Sequence, residues 1–435
     1  MHDAALTSPR HHSGTVIDPA RGPAVAEMQR LSSFAEVSEV LKSRRFEHLV
    51  GHRDNAPILG GTLISLSGDQ HFERRRISSQ LFSAAANANY QTNVFMPAFE
   101  TAIARWPRDG TGRARGDLFD ALQQALSRLG AAIVGLDGVE GEEALRRHMA
   151  YTGEIANGVA IEFAERDHRS VISEALAHVE RFEREFFEPS FARRQALVEA
   201  HAEGRISREE LPLDLITLML LHRRHYESYG PVTMLREAVF FNGAAGGVSH
   251  AVCNVISSLL AWVEDEPDSR RPLLKAPAFV RAAAMEGIRV KPATPYQIRR
   301  STADHELDSG RPIRAGEYVM LDLAAANRDR TVFGEDADVF DPHRNPIARV
   351  KPTRLAFSDG AHTCIAMSLA AGDGQNFEEG RSGLLVAVLM RLFDLGITFE
   401  GADDARRKSD TLRSEYDAFP VSLAMGPPID ARRAR

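Results

Sequence analysis

The spacing of apolar residues is helical over most of this 435-residue chain. Glycine- and proline-containing stretches at 107–112 and 135–141 interrupt the pattern. The long apolar segment 231–266 contains asparagine, serine and histidine residues that are too polar for a membrane span, so we predict a buried central helix there. The predicted helices cover 23–45, 70–77, most of 90–230, 231–266, 278–290 and 382–395.

Strand-like patterns are confined to short segments between glycine-containing turns. These segments are 62–66, 297–301, 306–307, 313, 317–323, 397–399 and 421–423. Residues 327–352 show little periodicity, and residues 1–22, rich in His, Pro and Arg, are expected to form a flexible leader. We therefore predict a mainly α protein with a minor β component, folded as a single large domain over 23–435.

Composition excludes several classes of protein. The formal net charge is −7 and no block of basic residues occurs, so we expect no nucleic-acid partner. The two cysteines, Cys253 and Cys364, lie far apart, which excludes a disulfide framework and favours a reducing cytoplasm. No signal-peptide core or run of roughly eighteen apolar residues is present. We expect a monomeric cytoplasmic protein without a membrane anchor.

The sequence FSDGAHTCIAMSLA places Cys364 at the end of a glycine-punctuated loop, just before a predicted helix start. Amide N–H groups at a helix N-terminus favour a charged sulfur there, although a lone cysteine is more often buried and structural. The order Phe-x-x-Gly-x-His-x-Cys is formed by Phe357, Gly360, His362 and Cys364. It resembles the haem-ligand signature of the cytochrome P-450 family.

The resemblance implies the cytochrome P-450 fold, in a soluble bacterial form, with haem b as the cofactor. It implies that Cys364 is the axial ligand of the haem iron, within a loop that includes Phe357 and Gly360. The helix and strand predictions, which place most residues in helices, agree with that fold.

The resemblance also implies that basic side chains bind the two haem propionates. His71 and Arg75, four residues apart on one helix face, match the family's His-x-x-x-Arg. His362 lies two residues before the cysteine, where the family uses His or Arg. Arg299 matches the family's propionate arginine on a short strand, but the adjacent Arg300 leaves a one-residue shift of register open.

A second family motif lies between residues 286 and 344. Glu286 and Arg289 resemble the family's Glu-x-x-Arg pair, and Arg344 follows in the segment FDPHR. The resemblance implies a buried charged triad of these three side chains. Its expected role is structural, because it holds the irregular segment beside the cysteine loop.

The central helix departs from the family pattern. Ordinary members carry an acid followed by an alcohol there, and this pair manages proton delivery at the haem. One register places Val248 and Ser249 at these positions, and another places His250 and Ala251 there. Neither register restores the pair, so Ser249 and His250 are candidate catalytic residues. Asn242 is a third, because Asn before Gly-Gly loosely resembles the hydroperoxide-rearranging branch of the family.

Three functions remain open at this point. The first is a monooxygenase that inserts oxygen into, or oxidatively couples, an apolar small molecule of secondary metabolism. Its electrons are expected from a ferredoxin and an NAD(P)H-dependent ferredoxin reductase, since the chain carries no flavin or iron–sulfur motif. The second is a peroxide- or hydroperoxide-using peroxygenase, isomerase or dehydratase. The third is a non-catalytic haem-binding sensor or carrier.

Residues 371–377 form an apparent insertion after Leu369 and Ala370, where family members continue their helix. Gly372 and Gly374 are expected to break the helix. The insertion lies near the side where electron-donor proteins dock in the family, so altered docking of the donor is a hypothesis.

Overall fold

The structure, a computed structural model, describes residues 25–227, 232–374, 380–399 and 405–424. The predicted leader over 1–22 lies outside the described residues. The helices are α1 (Phe34–Lys42), α2 (Ala56–Leu59), α3 (Gly68–Ser78), α4 (Ala84–Asn89), α5 (Met96–Ala104), α6 (Leu118–Val134), α7 (Glu142–Val159), α8 (His168–Phe182), α9 (Glu188–Ala202), α10 (Leu215–Leu221), α11 (Arg224–Glu227), α12 (Thr233–Ala244), α13 (Gly247–Asp265), α14 (Pro267–Arg270), α15 (Pro277–Val290), α16 (Leu323–Ala326), α17 (Arg330–Phe333), α18 (Met367–Ala371) and α19 (Leu384–Asp394).

Short strands form a minor part of the fold, as predicted. They are β1 (Gln29–Leu31), β2 (Phe46–His48), β3 (Ala114–Asp117), β4 (Tyr296–Ser301), β5 (His305–Glu306), β6 (Pro312–Ile313), β7 (Tyr318–Asp322), β8 (Thr398–Phe399), β9 (Arg406–Arg407), β10 (Tyr416–Ala418) and β11 (Pro420–Leu423). The largest sheet has the order β1-β7-β4-β2, in which β1 is parallel to β7 and the other pairs are antiparallel. A second sheet has the order β3-β11-β8.

The prediction of a helix over 23–45 is wrong in its first half. Within this segment Val25–Glu27 forms a 3₁₀ turn and only α1 is an α-helix. The N-cap of α1 is Ser33, whose hydroxyl accepts the amide hydrogen of Glu36 at 3.3 Å. The preceding residues form β1 and pair in parallel with β7. Pairing with a strand almost three hundred residues away overrides the helical spacing of the apolar residues.

The predicted strand over 62–66 is also wrong. Leu63–Ser65 forms a 3₁₀ turn. The amide of Leu63 donates to the buried carboxylate of Glu237 at 2.9 Å, so this backbone hydrogen bond goes to a side chain of α12 instead of a neighbouring strand.

The predicted central helix is two helices. Its N-terminal part, α12, ends at Ala244, and α13 begins at Gly247. Between them the amide of Gly246 donates to Gly243 O at 3.2 Å, and the amide of Val248 donates to Ala245 O at 3.1 Å. These i→i+3 bonds tighten the chain locally and separate the two helices.

Thr233–Asp265 is long and apolar enough to cross a membrane by length and composition alone. In the structure 44% of its most apolar window is buried inside the protein, and α13 packs against α15 and α19. Gly287 permits close packing of α15 on α13, because a Cβ there would lie 2.7 Å from Val255 Cγ2. The segment therefore packs against the protein core as two helices, with less than half of this window buried.

Candidate functional site

The loop before α18 presents the sulfur of Cys364 to an internal cavity. The amide of Cys364 donates to Phe357 O at 2.9 Å, which closes the loop. Gly360 has φ +68°, and a Cβ there would lie 2.2 Å from Leu41 O, so this position requires glycine. Burial raises the pKa of the Cys364 thiol, while a hydrogen bond from the backbone of Ala366 and the charge of Arg75 act in the opposite direction.

The cavity above the sulfur, here called the cysteine cavity, has a volume of about 330 Å³ and mostly apolar walls. Phe357 and Cys364 lie on one side. The break between α12 and α13 lies on the other and contributes Ala244, Ala245, Gly247, Val248 and Ala251. The small side chains at the break leave room for a flat ligand over the sulfur.

Four basic residues line the cysteine cavity, and a fifth, Arg299, lies beside two of them, His48 and His362. We call the five residues the basic cluster: His48, His71, Arg75, Arg299 and His362. The ring centroids of His71 and His362 are 4.2 Å apart, and those of His48 and His362 are 5.7 Å apart. Within the described ranges, none of the five forms an ion pair with an Asp or Glu side chain.

Hydrogen bonds satisfy the basic cluster only in part. Arg299 donates to Ile298 O at 3.1 Å and to Gln297 Oε1 at 2.9 Å, and Arg75 donates to Thr363 O at 2.7 Å. Nε2 of His71 is buried without a partner. The cluster therefore offers donors and positive charge that only an anion would match.

Burial shifts the pKa values of the basic cluster towards the uncharged forms. It lowers the pKa of Arg299 to about 9 and that of His71 to about 4. Burial, with the nearby charges of His71 and Arg299, lowers the pKa of His362 to about 3. A buried cation without a counter-ion is unfavourable in free energy. An anionic ligand bound to the basic cluster would reduce this cost.

Glu286, Arg289 and Arg344 meet in a buried charged triad beneath the cysteine loop. The carboxylate of Glu286 accepts hydrogen bonds from Arg289 at 2.6 and 2.8 Å and from Arg344 at 3.0 Å. Arg289 also donates to the carbonyl oxygens of Asn327 and Ala337. Burial favours protonation of Glu286, but the two arginines outweigh it and hold its pKa below the ordinary value. The triad thereby fixes the irregular segment before the loop.

Comparison with known proteins decides the family. The family model described as Cytochrome P-450 matches residues 273–373, a stretch that contains both the triad residues and Cys364. The chain belongs to the cytochrome P-450 family. The resemblance found in its sequence is confirmed, and so is the mainly helical cytochrome P-450 fold.

Curated relatives include oxygenases of this family. The C-19 steroid 1alpha-hydroxylase of Sorangium cellulosum (strain So ce56) is 24% identical over 331 residues, which cover 72% of this chain and 71% of the relative. The vitamin D(3) 25-hydroxylase of Pseudonocardia autotrophica is 34% identical over 178 residues, which cover 40% of this chain and 39% of the relative. This cytochrome P-450 is an oxygenase and its cofactor is haem b.

Solved structures show the same fold over almost the whole chain. The cytochrome P-450 enzyme CxnD, described as acting in C–S bond formation in chuangxinmycin biosynthesis, has a TM-score of 0.64 at 20% identity. The match covers 90% of this chain and 87% of CxnD.

The cysteine cavity fits haem b. The sulfur of Cys364 faces the cavity, and the basic cluster, with the buried unpartnered Nε2 of His71, supplies counter-charges and donors for two propionates. The structure also shows which of the two candidate arginines faces the interior. Arg299 is buried, whereas Arg300 is exposed and pairs with Glu47.

Two of the three predicted catalytic residues lie away from the cysteine cavity, which corrects that prediction. The side chain of Asn242 faces α7, where it accepts a hydrogen bond from His148 Nε2 at 3.1 Å and donates to Thr152 Oγ1 at 3.1 Å. The buried hydroxyl of Ser249 donates to Gly246 O at 2.7 Å and stabilises the break between α12 and α13. Local backbone and side-chain acceptors hold both groups.

His250 borders a second cavity of about 440 Å³ that adjoins the cysteine cavity. Its Nδ1 accepts the amide hydrogen of Tyr416 at 3.1 Å, which places the ring hydrogen on Nε2. Burial lowers the pKa of His250 to about 4, so the ring is neutral at pH 7. His250 is thus a neutral N–H donor beside the second cavity.

Sequence reasoning missed several residues of these two cavities. His48 and Gln297 line both cavities, and residues 408–415 between β9 and β10 line the second. Strand pairing places His48 opposite Arg299, a relationship that the sequence alone does not reveal. The resemblance to the family indicated Arg299, whereas no motif indicated His48, and β2 is too short for alternation to single it out.

The predicted helix break after α18 is present. Gly372 ends the helix with φ +77°, and a Cβ at Gly383 would lie 2.3 Å from Gly372 N. Gly372 and Gly383 therefore allow the chain just after α18 and the chain just before α19 to lie in contact. Residues 375–377 of the predicted insertion lie outside the described residues.

Proposed function

We propose that this cytochrome P-450 monooxygenase inserts oxygen into, or oxidatively couples, a small molecule with a large apolar part, in secondary metabolism. The observation that carries the proposal is the sulfur of Cys364 beneath an apolar cavity that adjoins the larger second cavity. Haem b supplies the activation of O₂ and the transfer of oxygen. Cys364 holds the iron, and the basic cluster holds the propionates.

The relatives support a hydroxylation of this kind, because two of them are named as hydroxylases of a steroid and of vitamin D(3). The residues of α12 and α13 that line the cysteine cavity are apolar, which disfavours water at the reacting position. We assign proton supply to water in the second cavity, where His250 and Gln123 offer hydrogen bonds.

The electron donors are proposed to be a ferredoxin and its NAD(P)H-dependent reductase. We place the protein in the cytoplasm, where these donors and NAD(P)H occur, and we propose that it acts as a monomer. A peroxide-using enzyme is the second candidate, because neither Asn242 nor Ser249 replaces the acid–alcohol pair at the cysteine cavity.

The test compares two oxidant systems on the purified holoprotein. One contains O₂, NAD(P)H, ferredoxin and reductase, and the other contains hydrogen peroxide alone. We expect product from the first at a rate at least about tenfold above the second. The reverse ratio would establish the peroxide-using alternative, and inertness in both with a broad set of candidate substrates would favour a sensor or carrier.

A further inference from the structure

The second cavity has an apolar body and one polar end. Apolar residues line most of it, among them Val50, Ile64, Phe119, Val159 and Ala244. The polar end is formed by the segment between β9 and β10. This segment is fixed to the chain before α8, because Leu412 N–H donates to Phe163 O at 2.8 Å and Glu165 N–H donates to Asp410 O at 2.9 Å.

Arg413 lines the polar end with most of its hydrogen-bonding capacity unused. Its Nη2 is 3.4 Å from Thr294 Oγ1, and its Nη1 is 3.4 Å from Glu415 Oε1. The Nε–H group is buried without a partner. A guanidinium carries five N–H donors, so these two long contacts leave the group under-satisfied.

Of the charged side chains on this segment that line the cavity and are not exposed, two are cations and one is an anion, because Asp410 is exposed. Glu415 is shared between Arg413 and Lys408, whose Nζ is 3.5 Å from the carboxylate, so two cations face one anion. Burial lowers the pKa of Arg413, and the charge of Glu415 opposes the shift. A second anion would therefore match both the charge and the free donors of Arg413.

The other charged residues of the cavity wall have partners or lie exposed. Glu162 pairs with Arg53 at 3.1 Å, and Arg166 pairs with Glu174 at 2.7 Å. Asp410 is exposed. A cationic ligand would have to compete with these pairs, whereas an anionic ligand meets the open donors of Arg413.

We propose that the second cavity binds an amphipathic substrate with a carboxylate group, and that Arg413 pairs with this carboxylate. The Nε2–H group of His250 is a second donor beside the same cavity. The apolar part of the substrate then extends towards the cysteine cavity past Ile64, Ala244 and Ala293, which line both cavities. This inference rests on the proposed function and names its substrate class.

The experiment measures binding of three probes to the holoprotein by isothermal titration calorimetry: decanoate, methyl decanoate and decyltrimethylammonium. We expect decanoate to bind at least about tenfold more tightly than the other two, as for a charge-assisted pair. Equal or weaker binding of decanoate, or no binding at all, overturns the inference. This comparison on the unaltered protein requires no variant to fold.

Two variants test whether the side chain of Arg413 causes the preference for decanoate over methyl decanoate. Arg413→Gln is expected to reduce the ratio of decanoate to methyl decanoate affinity to about one, with haem content unchanged. The matched control is Arg406→Gln on β9, a residue whose side chain is 72% exposed and pairs with Asp417. It is expected to keep the ratio of the unaltered protein. Retention of the ratio in Arg413→Gln overturns the role of Arg413.

The ferrous–carbon monoxide spectrum distinguishes failure of this inference from failure of the proposed function. Every protein is reduced, exposed to carbon monoxide and examined for the thiolate-type absorption of the haem. If the absorption is present while the three probes bind equally, only the carboxylate inference fails. If the absorption is absent from the unaltered holoprotein, the proposed function fails whatever the probes show.

Discussion

His71 and His362 lie in contact at the edge of the cysteine cavity, with ring centroids 4.2 Å apart and ring planes tilted by 37°, one from α3 and the other from the cysteine loop. Both rings are uncharged at pH 7, because burial lowers their pKa values to about 4 and about 3. Two neutral imidazoles beside Arg75 and Arg299 form a site that donates hydrogen bonds to an anion without the cost of four buried positive charges.

The first prediction concerns Arg299, which is buried without a carboxylate partner in the described part of the chain. Arg299→Gln should accelerate haem loss at least about tenfold, because it removes a charged donor to a propionate. The same substitution should leave the apoprotein as stable or more stable, since an unpaired buried cation is removed. Transfer of haem to apomyoglobin measures the first effect, and urea unfolding of the apoprotein measures the second.

Arg300 supplies the control for this prediction. It is the next residue on β4 but lies exposed, with a pairing distance of 2.9 Å to Glu47. Arg300→Gln should change neither haem transfer nor stability appreciably. Equal rates of haem loss from both variants would contradict the assignment of Arg299 to the propionates.

The second prediction concerns the charged triad. Glu286→Gln leaves Arg289 buried without its counter-charge and leaves Arg344 with only Asp336, so it should lower the free energy of unfolding by about 3–5 kcal/mol. Thermal unfolding of the holoprotein, followed by far-ultraviolet circular dichroism, measures the loss. Glu266→Gln is the control, because the side chain of Glu266 is 62% exposed and its pair with Arg270 contributes little. A similar midpoint for the two variants would count against a structural role of the triad.

The third prediction concerns Ser249. Its hydroxyl donates to Gly246 O and lines neither cavity, so Ser249→Ala should cost about 1 kcal/mol of stability. The variant should leave the ratio of product formed to NAD(P)H consumed within about twofold of the unaltered protein. A tenfold fall in that ratio, with release of hydrogen peroxide, would show that Ser249 takes part in proton delivery.

The fourth prediction concerns pH. Burial lowers the pKa of His148 to about 4 from its ordinary 6.5, although Asn242 and Glu185 oppose the shift. The folded protein thus holds this ring neutral, while the unfolded chain binds a proton below pH 6.5. The neutral His148 ring therefore contributes fully to the free energy of unfolding above pH 6.5. This contribution, about 3 kcal/mol in total, is lost as the pH falls from 6.5 towards 4.

His148→Gln removes this contribution to the pH dependence. Urea unfolding at several pH values between about 7 and 4.5 measures the free energy of unfolding. As the pH falls, this free energy should decrease less in the variant than in the unaltered protein. Identical slopes for the two proteins would mean that folding does not lower the pKa of His148.

The elements predicted correctly from the sequence are those whose conformation depends on residues close together in the chain. The helix after Ser67 and the loop around Cys364 depend on residues close together in the chain, and both occur where the pattern placed them. The family motif also indicated Arg299, and the pairing of β4 with β2 and β7 resolved which of two adjacent arginines lies inside.

The errors arose where distant contacts decide the structure. Residues 29–31 have helical spacing but become a strand because β7 pairs with them. Asn242 and Ser249 were assigned to the haem by their place in the central helix, whereas His148 and the carbonyl of Gly246 hold their side chains elsewhere. The break between α12 and α13 interrupts the helical repeat, so the spacing of residues in the sequence does not reveal which side chains reach the cysteine cavity.

The ferrous–carbon monoxide spectrum of cysteine variants tests the central claim most directly. Cys364→Ala should lose the thiolate-type absorption, because the sulfur that faces the cysteine cavity is removed. Cys253→Ala is the control, since Cys253 is fully buried on α13 and should leave the spectrum unchanged. Retention of the thiolate-type absorption in Cys364→Ala would contradict the account.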